Sequence, residues 1–147
     1  MNSTNLLNLV RIGQLDQVPY SADTVKRMLT SAKHRLRDAD LAQISHETRF
    51  DCAYTTIRTI ADMGLHLEGF RTATSKPGHH QTASRCLAHT LGVDDATVRI
   101  LDSLRKQRNL SDYEGETVTD AALQECLSQA RSLLRRIEKL LKSWPRA

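Results

Sequence analysis

Leu123, Leu127, Ala130, Leu134, Ile137 and Leu141 alternate steps of four and three along the chain, and this period constrains the fold more than any other feature. It places all six side chains on one stripe of an α-helix, a seam suited to antiparallel packing against other helices. Thr119 reads as the N-cap of that helix, with Val118 and Leu123 at the two positions of a hydrophobic staple. A similar pattern recurs upstream. Ser21 stands as an N-cap between Tyr20 and Val25, a second staple pair, and Val25, Leu29, Ala32, Leu36 and Ala39 follow at helical spacing. From Ser45, the residues Phe50, Ala53, Tyr54, Ile57, Ala61 and Leu65 define another helix that runs toward Gly69.

The remaining segments are shorter. "TNLLNLVRIGQL" predicts a small helix over about 3–15. "QTASRCLAHTL" predicts one that stops at Gly92, a favoured residue after a helix C-terminus. A further helix runs from about Asp94 and fades near Gly115. Between them the loop "RTATSKPGHHQ" holds the chain's Pro-Gly pair and two adjacent histidines. Only 4% of residues are aromatic against 39% hydrophobic overall, which favours helices packed through Leu, Ala, Ile and Val over a β-sandwich. No internal repeat or low-complexity tract interrupts the pattern. The 147 residues fit one domain with a real core. The expectation is therefore all-α: a single domain over 1–147, an antiparallel four- to five-helix bundle over about 20–142 behind the short N-terminal helix.

Charge and cysteine usage narrow the setting. A net charge of +4 and a pI near 9.2 permit a phosphate-bearing partner without requiring one. Cys52, Cys86 and Cys126 lie in apolar helical contexts at no metal-like spacing; buried thiols in a reducing cytoplasm are expected. His34, His46, His66 and His89 are scattered and match no zinc pattern. Neither a metal nor a cofactor is expected, no signal peptide is read, and no apolar run approaches membrane-spanning length. Arg131, Arg135, Lys139, Lys142 and Arg146 form a basic stripe with Glu138 interspersed, read as a solvated face; as a phosphate-tracking surface it would bind with steep salt dependence.

One segment breaks the usual inside–outside division. Val98, Leu101, Leu104 and Arg108 fall within one arc at about 100° per residue, so an arginine continues a face that buries leucine. Asp112 lies four residues beyond Arg108 and can pair with it, and Asn109 and Tyr113 form a second such pair on the neighbouring arc. From spacing alone this is an ion pair that ties off a helix.

The stretch "RNLSDYEG" at 108–115 resembles the signature end of HEPN domains (higher eukaryote and prokaryote nucleotide-binding), small helical bundles whose motif is Arg, often followed by Asn, with a His four to six residues on. "AKHRLRDADLAQISHETRFDCAYTTIRTIADMGLHLEGFR" is similar to the first two helices of that family, an "A…L.DA" helix followed by "RF..AY". "GFR…PGHH" is similar to the loop that some bacterial members carry before the third helix. The likeness spans roughly residues 20–142.

The resemblance implies a metal-independent ribonuclease, often the toxin of a toxin–antitoxin or defence module with a nucleotidyltransferase or helix-turn-helix antitoxin as partner. It also implies a homodimer that brings two motifs together. Arg108 would hold the scissile phosphate and stabilise transition-state charge. Asn109 would orient Arg108 or the substrate, and Asp112 would fix the Arg108 rotamer. The chain departs from the family at the histidine, where Tyr113, Glu114 and Gly115 stand instead. Three outcomes stay open: lost chemistry, an altered role for Tyr113, or proton transfer by His79 and His80 from the loop. A catalytically inactive bundle that binds nucleotide, RNA or a protein partner is the alternative. The family also suggests that Tyr113 accepts nucleotide groups from the partner, which requires its hydroxyl to be accessible and near Arg108 of its own or the partner chain. A core tyrosine that only packs is the competing expectation.

Overall fold

Four side-chain caps set where the long helices begin. Ser21, Ser45, Asp94 and Thr119 accept hydrogen bonds from the backbone N–H of Thr24, Thr48, Thr97 and Ala122, at 3.2, 3.2, 2.9 and 3.1 Å. Each satisfies a donor that the first helical turn leaves open. In the computed structural model, which describes residues 3–144, the elements are α1 (Ser3–Arg11), β1 (Leu15–Gln17), α2 (Ala22–Ala39), α3 (His46–Leu67), β2 (Phe70–Thr72), α4 (His79–Thr90), α5 (Asp95–Glu114) and α6 (Asp120–Lys142). The architecture is an all-α, bundle-like domain with one small two-stranded ribbon.

The spine is α3. Phe50, Ala53, Tyr54, Ile57, Ile60, Ala61, Met63 and Leu65 are all essentially inaccessible to solvent, because α2 and α6 cover it on one side and α4 and α5 on the other. Burial of each large aliphatic side chain contributes about 1.5–3 kcal/mol. From α2 come Val25, Ala32, Leu36 and Ala39, with Leu29 only half-buried. On α6 the buried stripe is Leu123, Cys126, Leu127, Ala130, Leu133 and Ile137. The expected seam thus drifts: Leu133 replaces Leu134, which is half-buried with Leu141. A helix of 3.6 residues per turn does not hold a strict seven-residue repeat without supercoiling.

Where α3 meets α4 the Thr90 side chain lies against the α3 backbone at Gly64. A Cβ on Gly64 would lie 2.7 Å from Thr90 Oγ1 and 3.1 Å from Thr90 Cβ, so the contact depends on glycine. The Thr90 hydroxyl is buried and makes no hydrogen bond among the described residues.

Two features differ from the sequence expectation. The N-terminal helix ends at Arg11 instead of reaching 15, and Leu15–Gln17 pair antiparallel with Phe70–Thr72 in the register Leu15↔Thr72, Asp16↔Arg71, Gln17↔Phe70. Five helices follow the short N-terminal one among the described residues, within the four to five expected of the bundle. Finally, α4 starts at His79, so both histidines belong to its first turn and not to the loop. Gly78 in left-handed conformation (φ 78°) precedes it, a geometry that glycine adopts without steric cost. Tyr20 sits 6.3 Å, centroid to centroid, from Trp144. Arg146 of the basic stripe lies outside the described residues.

Candidate functional site

Arg108 does face inward. Its side chain is 24% exposed, and Nε donates to Asp51 Oδ1 at 3.1 Å and lies 3.4 Å from Asp112 Oδ2. The guanidinium carbon stands 5.6 Å from the centre of the Tyr54 ring, within cation–π range. Asp112 is the partner that spacing predicted. Asp51 is not, because it comes from α3. Both carboxylates approach at Nε, and among the described residues neither terminal Nη group makes a hydrogen bond. The guanidinium is therefore held in position with its outer donors open to another acceptor.

Asp51, Tyr54, Arg58 and Asp62 recur at steps of three and four on α3 and form the wall facing α4 and α5. Burial raises the Tyr54 hydroxyl above its ordinary pKa, partly offset by Arg105, Arg108 and Arg58. Burial also pushes the Asp62 carboxyl up to about 6, opposed by the positive field of Arg58 and by His79. Arg58 makes no ion pair at contact distance among the described residues.

The first turn of α4 supplies the histidines, whose rings lie 4.0 Å apart. Its position is fixed by Gln81, which donates from Nε2 to Asp102 Oδ1 on α5 at 3.2 Å; the same oxygen accepts from Arg105 Nε at 3.1 Å. His80 is pushed down to about 4, by burial first and then by Arg58, His79 and Arg108. At neutral pH its imidazole is uncharged. The fold therefore gathers Arg108, Asp112, His79 and His80 and adds Asp51, Tyr54, Arg58 and Asp62, which sequence reasoning had not assigned to a site. Only the i, i+3 and i, i+4 recurrence of polar residues on an otherwise buried helix could have exposed that set.

Asn109 and Tyr113 lie elsewhere. They share a shallow hollow of about 470 Å³ with Lys106, Leu110 and Glu114 at the end of α5. Five residues separate Arg108 from Tyr113, about 140° of helical rotation, so the two occupy different faces. Tyr113 is 81% exposed, which overturns the core-packing expectation.

Other surfaces have plainer explanations. The hollow of about 490 Å³ between the ends of α4 and α6 includes His89, Arg136 and Lys139. There Arg136 donates to the Leu91 carbonyl at 3.1 Å, as expected at a helix C-terminus. Along the α6 stripe Arg131 pairs with Asp40, and the interspersed Glu138 with Lys33 at 3.0 Å; this accords with a solvated face. Among the described residues no group of three or more His, Cys, Asp or Glu side chains is placed to hold a metal ion, and no described helix is long and apolar enough to cross a membrane.

No family model matches the chain, and neither a curated protein nor a solved structure matches it.

Proposed function

We propose that this chain is a HEPN-like RNA-acting protein, a metal-independent endoribonuclease serving as the toxin component of a toxin–antitoxin or defence module in the cytoplasm. One observation carries the reading: Arg108 is fixed at Nε by Asp51 and Asp112 while its Nη groups remain open. A guanidinium fork so placed suits a phosphodiester, whose non-bridging oxygens accept two parallel hydrogen bonds. Held in advance, it stabilises the charge that develops on phosphorus oxygens without reorganising during reaction. In this reading the protein is a homodimer, and two copies of the Arg108 face border one cleft. In the same reading Asn109 and the exposed Tyr113 lie on a neighbouring face of α5, where a nucleotidyltransferase partner can reach the Tyr113 hydroxyl. A helix-turn-helix antitoxin is the alternative partner.

The test is expression toxicity and RNA cleavage in EDTA, wild type beside Arg108→Ala. Toxicity and cleavage that both require Arg108 support the proposal. Cleavage that needs a divalent metal, or that survives in folded Arg108→Ala, overturns it.

The replacement of the motif histidine by Tyr113 supports a second reading, a catalytically inactive bundle that binds RNA, nucleotide or a protein partner. Arg108-dependent RNA binding without cleavage would decide for it.

A further inference from the structure

Where α4 lies along α5, polar side chains from both helices border a cavity of about 280 Å³. Ser84 and Arg85 reach it from α4, and Arg99, Asp102 and Lys106 from α5. We infer that this cleft is a binding site for a phosphomonoester, held by Arg85, Arg99 and the Ser84 hydroxyl. The site does not include Arg108 and stands whether or not the chain cleaves RNA.

The chain reverses through the short connection between Thr90 and Asp95, and the 3.2 Å hydrogen bond from Gln81 to Asp102 sets the register of the two helices. Arg85 stands about one turn beyond that contact on α4, and Arg99 about one turn before it on α5. Both therefore reach the same end of the cleft from opposite walls. Neither makes an ion pair among the described residues, and two like charges on one small cavity repel unless an anion lies between them. The carboxylate in the wall is already matched. Asp102 Oδ1 accepts from Gln81 and from Arg105 Nε, and Lys106 Nζ stands 3.5 Å from Oδ2. Ser84 is only 6% exposed, yet it lines the cleft and its hydroxyl makes no hydrogen bond among the described residues. Unlike Thr90 Oγ1, it is not sealed from access. A buried hydroxyl without a partner costs free energy, which an acceptor oxygen in the cleft would offset.

Size and lining decide the class of ligand. The volume falls below the roughly 300–1,000 Å³ of sites that enclose a drug-sized molecule. Among the described residues no aromatic side chain borders the cleft, so a base would have nothing to stack on. A head group fits instead: a tetrahedral oxyanion whose terminal oxygens meet two guanidinium forks and a hydroxyl. Two unpaired arginines favour the nearly double charge of a phosphomonoester over the single charge of a diester within a strand. Such a group is carried by a free phosphorylated metabolite or by the 5′-phosphate end of an RNA, and the same side chains would hold either.

The experiment titrates the ¹⁵N-labelled full chain at about pH 8, where the monoester is a dianion, and at constant ionic strength. The probes are inorganic phosphate, ribose 5-phosphate, and a short 2′-O-methylated oligoribonucleotide with and without a 5′-phosphate. We expect saturable binding, with amide shifts gathered at Gln81–Arg85 and Val98–Lys106. Arg85→Gln and Arg99→Gln should each weaken it about tenfold and Ser84→Ala about threefold, in variants shown to be folded by thermal melts. Arg108→Ala should leave this affinity unchanged. Equal affinity for the two small phosphates, with no gain from the 5′-phosphate of the oligonucleotide, assigns the site to a free metabolite. A gain from that 5′-phosphate, lost in Arg85→Gln, assigns it to an RNA end. No saturable binding by folded wild type, or affinity that survives in both Arg85→Gln and Arg99→Gln, overturns the inference. Affinity lost in Arg108→Ala alone overturns it too and leaves the phosphate to the site proposed at Arg108.

Discussion

The two sides of α3 are built from different chemistry. Toward α2 and α6 it presents Phe50, Ala53, Ile57 and Ile60 against Ala32, Leu36, Leu127 and Ala130, members of one continuous dry core. Toward the N-terminal turn of α4 and the second half of α5 it presents Asp51, Arg58 and Asp62, with Tyr54 between. Only Leu101 and Leu104 of the twenty residues of α5 are buried. A helix held by so few apolar contacts is not the cheapest way to finish a bundle. Charges of this wall, unpaired or half-paired, gain little from burial. The difference separates what keeps the fold from what the fold carries.

The largest effects are expected on the dry side. Ile57→Ala should cost about 2–5 kcal/mol of unfolding free energy, read from the midpoint of a urea titration. A loss below about 1 kcal/mol would remove the distinction. The next effect is at the α3–α4 crossing. Gly64→Ala should cost about 1–3 kcal/mol through overpacking against Thr90, whereas Thr90→Val, which removes a buried unsatisfied hydroxyl, should stabilise by up to about 1 kcal/mol. Opposite signs at two touching residues would place the strain at this contact.

On the polar side, Arg108→Ala should change stability by less than about 1 kcal/mol, since its carboxylate partners are largely solvated. Under the proposed ribonuclease reading, the same variant should lower RNA cleavage by about 10²–10³-fold, as removal of a preorganised charge donor does. Equal thermodynamic losses from Ile57→Ala and Arg108→Ala would refute the division of labour.

The subtlest test is acidity. The folded protein holds His80 below its ordinary pKa of 6.5, so the unfolded chain binds the extra proton. Stability from neutral His80 is present above 6.5 and is lost as pH falls toward 4. Asp62 has the reverse sign: its folded pKa of about 6 lies above the ordinary 3.8, so its contribution is full below 3.8 and is lost as pH rises through 6. The two act in opposite directions in wild type. Asp62→Asn should therefore lose stability more steeply than wild type on acidification from pH 6.5 to 4, and His80→Gln less steeply, by thermal melts across that range. Identical slopes in all three proteins would contradict the opposed titration.

What could be read from the sequence was local. Caps act within four residues, so Ser21, Ser45, Asp94 and Thr119 were legible, and so was the arc that turns Arg108 inward with Asp112. Partners brought from other helices were not: Asp51 lies 57 positions from Arg108, and nothing in its own neighbourhood marks it as a ligand for a guanidinium. The Pro77–Gly78 pair read as loop and hid the fact that Gly78 launches α4, which carries His79 and His80 into a helical turn. The ribbon was also invisible, because three residues per strand are too few to show an alternating pattern.

That ribbon has a kinetic consequence. Its pairing of Leu15 with Thr72 encloses the whole α2–α3 unit as a loop. Joining such distant segments loses chain entropy before any contact repays it, while α2 and α3 meet across a short connection. The helical pair should assemble early in refolding and the ribbon zip up late. Weakening the ribbon, as by Phe70→Ala, should then accelerate unfolding while leaving the refolding rate nearly unchanged. The α1–β1 segment, which reaches α4 beside the ribbon, would be among the last parts of the chain to find its place.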